Sequence, residues 1–389
     1  MASKFPIFYL IFLLSSIIRV SGLILKNVTP KRFSNSSPAR LRDKSNSMVD
    51  WDKEFIKRYE KDESIPDSPS GVESAAIFYL ESIGWPKGII QAILDRKKQY
   101  FKAYFILDNS GSMYTSDGKF LMPVFDKFVP CNRFKEMMTS ADFLADLANM
   151  LKQKTEIRFL NDVPPLNFGS DDVKNYAAAK LAMSRAEISG STPLCYQIKA
   201  VEDDIRENLS EIKEMSQKVS LTIFTDGMAT DGNVFESLNS LFELPVNVVI
   251  KLCTDEVDVV NYWNNIDSDL EKSLDILDDF ESEAKEIYEY NDWMTYSYPM
   301  HILREAGTNL RHFDQIDEMK LGREQMVQLV CGLFNKRPEN FPDILSDWPA
   351  FMSCVADFAQ TEKKVWCPVA KTKKGVIDVD KLKKAYPKY

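Results

Sequence analysis

The sequence predicts an α/β fold, a doubly wound and mostly parallel sheet with helical extensions at both ends. Two observations carry this. The runs 102–107, 156–160, 219–225 and 245–253 are apolar, rich in strand-type residues and bounded by turn residues, the pattern of strands buried on both faces. Between them lie stretches with helical spacing. The clearest is 133–152, where Phe134, Met137, Met138, Ala141, Leu144, Ala148 and Leu151 share one face, a core-facing stripe. Strand–helix alternation of this kind builds a parallel sheet covered by helices.

In chain order, residues 1–22 read as a secretory signal: Lys4 gives a positive start, 5–18 are apolar, and Val20-Ser21-Gly22 offers small residues for cleavage after Gly22. The apolar run is short for a membrane span, so no stable span is expected after cleavage. Residues 23–48 are polar and basic with Asp43 as the lone carboxylate, a disordered linker or targeting segment. The chain is expected to enter the secretory pathway, secreted or in an endomembrane lumen. The alternative is a plastid, since a signal followed by a basic, Ser-rich stretch is similar to the bipartite import signal of algal plastids. Asn27, Asn35 and Asn208 head glycosylation sequons. Residues 49–100 predict a helical hairpin broken at Gly84-Trp85-Pro86 and packed on the first strand.

Within 101–291 the pattern predicts further helices at 172–188, 193–207 and 281–290 and a last short strand at 274–277. Residues 113–132 read as a long loop carrying Tyr114, Phe120, Met122, Phe125 and Phe128. Such a loop at a strand's carboxyl end is either a lid over a site or an inserted turn covering the sheet edge. Residues 292–389 carry no site signal and predict a helical extension packed by Phe341, Trp348, Phe351 and Trp366, ending in a short amphipathic tail.

The chemistry concentrates in FILDNSGSM (105–113), SGSTPL (189–194) and LTIFTDG (221–227). Asp108 and Asp226 each end a strand run, and in an open α/β sheet ligands collect beyond the carboxyl ends of strands at the switch point. Gly111 permits a sharp turn between Ser110 and Ser112, and Gly190 and Pro193 shape the loop presenting Thr192. All five side chains offer oxygen. Such a set, with only two carboxylates, suits a hard divalent cation, Mg2+ first, with Mn2+ or Ca2+ as alternatives.

The three segments together resemble the metal-ion-dependent adhesion site (MIDAS) of von Willebrand factor A (VWA) domains, which have a Rossmann-like fold. That site reads Asp-x-Ser-x-Ser, then a Thr, then an Asp after a separate strand, and Asp108, Ser110, Ser112, Thr192 and Asp226 match in order. The resemblance covers about 101–290. It implies that Ser110 and Ser112 ligate the metal directly, that Thr192 does so directly or through water, and that Asp108 and Asp226 hold metal-bound waters or bind directly. One position is left for a carboxylate of a partner protein. The expected function is therefore a metal-dependent protein-binding module and not an enzyme. The alternatives are a Mg-dependent hydrolase, for which no general base is evident near the ligands, and a scaffold with a purely structural metal.

Other classes lack support. No EF-hand, P-loop or Cys-x-x-Cys motif occurs, and Ser110 stands where a haloacid-dehalogenase-type hydrolase needs its second Asp. A net charge of −9 over 389 residues argues against a nucleic-acid surface. The two histidines, His301 and His312, lie far from the three segments, which weakens triad and zinc chemistry. The six cysteines, Cys131, Cys195, Cys253, Cys331, Cys354 and Cys367, read mostly as buried thiols, with one or two bridges open to an oxidised chain.

Overall fold

The structure, a computed structural model of the chain, describes residues 70–122, 127–270, 274–307, 312–313 and 315–387. The signal and linker segments, Asn27, Asn35 and the first part of the 49–100 hairpin lie outside these residues. Ala75–Tyr389 form one compact unit. Helices α1 (Ser70–Ser82) and α2 (Lys87–Gln99) flank Gly84-Trp85-Pro86. Gly84 takes the left-handed φ of 87° that this turn requires. α2 runs directly into β1 (Tyr100–Leu107) and packs against two later helices, α10 (Tyr298–Glu305) and α11 (Arg323–Leu333). A side chain at Gly88 would meet the Gly332 carbonyl at 1.9 Å, so glycine permits the close approach of α2 to α11.

The central sheet has six strands in the order β5-β4-β1-β6-β7-β8. β4 (Thr155–Phe159), β1, β6 (Lys218–Thr225), β7 (Val246–Leu252) and β8 (Asp275–Leu277) are parallel, and β5 (Leu166–Phe168) is antiparallel to β4. Counted in chain order, the sheet strands run 3-2-1-4-5-6, the doubly wound arrangement, with its switch point between β1 and β6. Leu107 pairs with Phe224, which sets Asp108 and Thr225 side by side beyond the sheet.

Alternation sorts the strand residues to two covered faces. Tyr104, Ile106, Leu221, Ile223, Val248 and Ile250 join one core with α5 (Leu194–Glu207), α7 (Val234–Leu241) and α8 (Val257–Asp269). On the other face Phe105 meets Ile93 of α2 and Leu144 and Ala148 of α3 (Arg133–Leu151) around a void of about 10 Å³. Two polar residues within β6 have a specific reason to face this side. Ser220 Oγ and Thr222 Oγ1 donate to the carbonyls of Ala306 (3.3 Å) and Glu305 (2.9 Å), and Tyr100 and Asn247 donate to that of Gly307 (2.8 and 3.2 Å). The orphan carbonyls at the end of α10 are thereby satisfied under the sheet.

Three sequence readings are corrected. Residues 113–132 are not one long loop. After a 3-10 turn (Gly111–Tyr114) they form an antiparallel hairpin, β2 (Gly118–Met122) with β3 (Lys127–Cys131). Its Gly118 and Pro130, and its separation from the main sheet, hide the strand pattern. The hairpin is tied to α3 through Lys119 N–H to Glu136 Oε2 (2.7 Å), and to α9 (Phe280–Tyr290) through Lys119 Nζ to Glu281 (3.0 Å) and the Phe128–Phe280 ring pair. The helix read at 172–188 ends earlier, as α4 (Val173–Met183), because the Glu187 carbonyl and Ser189 N–H are bonded to Asn109. The C-terminal segment is not purely helical. α11 and α12 (Trp348–Thr361) are followed by a small hairpin, β9 (Val365–Cys367) with β10 (Thr372–Lys374), and then by α13 (Val379–Ala385).

Two short helices, α4 and α6 (Leu209–Glu214), complete the middle of the chain. All six cysteines are free thiols, with Cys253, Cys331 and Cys367 buried. Among the described residues no helix is long and apolar enough to cross a membrane.

Candidate metal centre at the switch point

β1 delivers Asp108 to the switch point, fully buried. Its Oδ1 accepts the Ser110 N–H (2.8 Å) and its Oδ2 accepts the hydroxyl of Thr225, the last residue of β6 (2.8 Å). Burial pushes the Asp108 carboxyl up, with the Asp226 charge adding to the rise, while hydrogen bonds from Ser110 and Thr225 oppose it. Ser110 is buried and Ser112 exposed, their hydroxyl oxygens 3.1 Å apart. Ser112 Oγ donates to Asp226 Oδ1 at 2.7 Å. Asp226 is itself buried. Asp108, Ser110, Ser112 and Asp226 therefore form a continuous chain of oxygen groups, open to solvent at Gly111–Ser112. Buried Met113 anchors the 3-10 turn beneath it.

The loop that carries Thr192 is tied to this segment through the backbone of its neighbours Gly190 and Ser189. Gly111 N–H donates to the Gly190 carbonyl (3.3 Å), and Ser189 N–H to that of Asn109 (2.7 Å). Gly190 has φ 71°, and a Cβ there would meet Asn161 Oδ1 at 2.7 Å, so glycine is required by both conformation and space. Thr192 is buried, and its carbonyl accepts Thr230 N–H at 2.9 Å. The start of α5 has no cap from its own Pro193. Asp231 supplies one, accepting the N–H groups of Cys195 (3.1 Å) and Tyr196 (2.8 Å).

Several residues that complete the site were not singled out from sequence. Asn109, fully buried, donates to the carbonyls of Asn161 (3.1 Å) and Glu187 (2.9 Å) and accepts the Asn161 N–H (2.9 Å). Asn161 Nδ2 in turn donates to the Ser191 carbonyl (2.8 Å). These two amides join three loops. Arg133, at the start of α3, is buried and donates to Asp226 Oδ2 (3.0 Å), to both oxygens of Asp117 (2.9 and 2.6 Å) and to Glu256 Oε1 (2.5 Å). Its hydrogen bonds hold the Asp117 carboxyl below the usual range. One sequence signal existed, because a cation in a helix's first turn opposes the helix dipole. The two histidines lie elsewhere: His301 is buried against Glu305 and Tyr296, and His312 binds Gln315 and Gln328.

The donor chemistry fits a hard divalent cation, with two buried carboxylates and hydroxyls between them and neither nitrogen nor sulfur in the set. Among the described residues no group of three or more His, Cys, Asp or Glu is placed to hold a metal. A site here would therefore depend on the hydroxyls.

No family model and no curated protein matches the chain. Among solved structures it is similar to the VWA domain of SpRpn10, at 13% identity over 46% of this chain and 87% of that one, with a TM-score of 0.33. It is also similar to the manganese-loaded Plasmodium vivax TRAP protein, at 13% identity over 47% of this chain and 69% of that one, with a TM-score of 0.28. Likeness at this level says nothing of what the chain binds. The doubly wound fold follows from the strand order itself.

Proposed function

We propose that the chain is a divalent-metal-dependent protein-binding module that captures an acidic side chain of a partner. The observation that carries this reading is the pair of buried carboxylates, Asp108 and Asp226, at adjacent strand ends and linked through Ser110, bonded to Asp108, and exposed Ser112, whose hydroxyl donates to Asp226. Asp108, Ser110, Ser112, Thr192 and Asp226 would hold the ion, Mg2+ first. A bound divalent ion supplies an electrophile for an incoming carboxylate, because so few of its ligands are anionic.

The test is thermal unfolding with Mg2+ or Mn2+ against chelator. A ligand that binds only the folded state at a hundredfold over its Kd stabilises by about 2.7 kcal/mol, several degrees for a chain of this size. Asp108→Ala and Asp226→Ala should each abolish the shift. Captured partner should release in chelator. A wild-type melting temperature indifferent to millimolar metal would end this reading.

A further inference from the structure

We propose that Arg133 is a resident counter-ion that competes with the divalent cation for Asp226 and so sets the metal concentration at which the site fills. This rests on the metal reading above and concerns what tunes it. Of the three carboxylates around Arg133, only Asp226 is buried. Its side chain is 0% exposed, against 39% for Asp117 and 58% for Glu256. The Arg133 side chain is itself 3% exposed, so the Arg133–Asp226 pair is the desolvated one, where Coulomb attraction is least screened.

Both oxygens of Asp226 are engaged, Oδ1 by the Ser112 hydroxyl and Oδ2 by Arg133 Nη1. A cation recruiting Asp226 must share it with the guanidinium and bear that charge's repulsion. The position of Arg133 supports a specific role, since it stands at the first residue of α3, where the helix's positive end disfavours a cation. A guanidinium does not deprotonate in proteins, so the competition holds at every working pH. Asp117 and Glu256 draw the same guanidinium outward from the solvent side. They moderate its hold on Asp226.

The arrangement also explains how two adjacent acids tolerate the metal-free state. Arg133 neutralises Asp226 and ties the segments after β1, β6 and β7 together before any ion arrives. A merely structural Arg133 and a competing one predict opposite signs. Losing a structural tie loosens the site and weakens metal binding, whereas losing a competitor tightens it.

The experiment is calorimetric titration of the purified chain with Mg2+, with melting temperature in chelator as the second readout. Arg133→Gln should bind Mg2+ roughly tenfold tighter while melting lower in chelator, and Arg133→Lys, which keeps the charge, should stay near wild type. Asp117→Asn and Glu256→Gln should bind roughly two- to threefold more weakly, because each removes a negative charge and frees the guanidinium for Asp226. A folded Arg133→Gln with equal or weaker affinity overturns the proposal. Should Arg133→Gln not fold, unchanged or tighter binding in the two exposed-carboxylate variants overturns it. Wild type that binds while no variant differs sinks this inference alone, and absence of binding in every form sinks the metal reading with it.

Discussion

Asn109 stands between Asp108 and Ser110 and has a different task from either. Its amide joins three loops, through Asn161 after β4, Glu187 before the Thr192 turn, and its own position after β1. Removing it leaves the Asn161 N–H and two carbonyls short of a partner, with Asn161 half-buried and Glu187 exposed. Asn109→Ala should therefore cost about 1 to 2 kcal/mol and weaken Mg2+ binding by misplacing Thr192. Urea unfolding and metal titration would measure the two effects, and a cost below about 0.5 kcal/mol would show that the loops hold without it. The contrast shows what the sequence reveals. Asp108, Ser110, Ser112 and Asp226 are legible because short oxygen-bearing residues directly follow apolar strand runs, a local pattern. Asn109, Asn161 and Arg133 act across 78, 52 and 93 positions, and no local pattern carries such a pairing.

At the level of elements, the four long strands and α3, read at 133–152 and found at Arg133–Leu151, follow from periodicity to within a residue or two. By contrast, α4 ends five residues before the helix read at 172–188, and α8 and β5 are not marked in the pattern. The β2–β3 hairpin and α7 are not marked either, because each is short and owes its form to what it packs on. α10 shows the same dependence from the other side. It lies in the segment 292–389, which has no site signal, yet its end caps the second face of the sheet through Ser220 and Thr222. Its Arg304, 2% exposed, binds Glu283 of α9 at 2.6 Å, Asp275 of β8 at 2.9 Å and Asp317 at 2.9 Å. Burial pushes the Glu283 carboxyl well up, and the Arg304 charge opposes that rise. Deleting one partner of a buried ionic cluster strands the others, so Arg304→Met should destabilise by about 3 to 5 kcal/mol. It should leave the Mg2+ affinity of the remaining folded fraction unchanged, since the cluster touches none of the five candidate ligands. Chemical denaturation would measure the loss, and a cost under about 1 kcal/mol would show the cluster to be replaceable by apolar packing.

At the scale of the whole molecule, one group of interior charges, Lys251, Asp279 and Glu305 among them, gathers where the hairpin, α3, β7, α9 and α10 meet. Glu136 of α3 lies there. Burial pushes its carboxyl up to about 7, with Asp279 and Glu305 adding to the rise, while the Lys251 ammonium and the Lys119 N–H oppose it. The sign of the consequence is fixed by linkage. A carboxyl whose folded pKa lies above its unfolded value keeps its proton more tightly in the folded chain. Its contribution to stability is therefore complete below the unfolded value of 4.5 and is lost as pH rises through about 7. Acidification through this window should strengthen the fold at Glu136, the reverse of the usual behaviour of a salt-bridged carboxylate. Glu136→Gln keeps an acceptor for the Lys119 N–H and removes the titration. Relative to wild type, the variant should gain about 2 to 3 kcal/mol between about pH 5 and about pH 8. Paired denaturation curves at the two pH values would read this difference directly. A variant whose stability tracks wild type in parallel across that range would mean that Lys251 already holds Glu136 ionised in the folded chain, and that the buried charges around it are paired from the start.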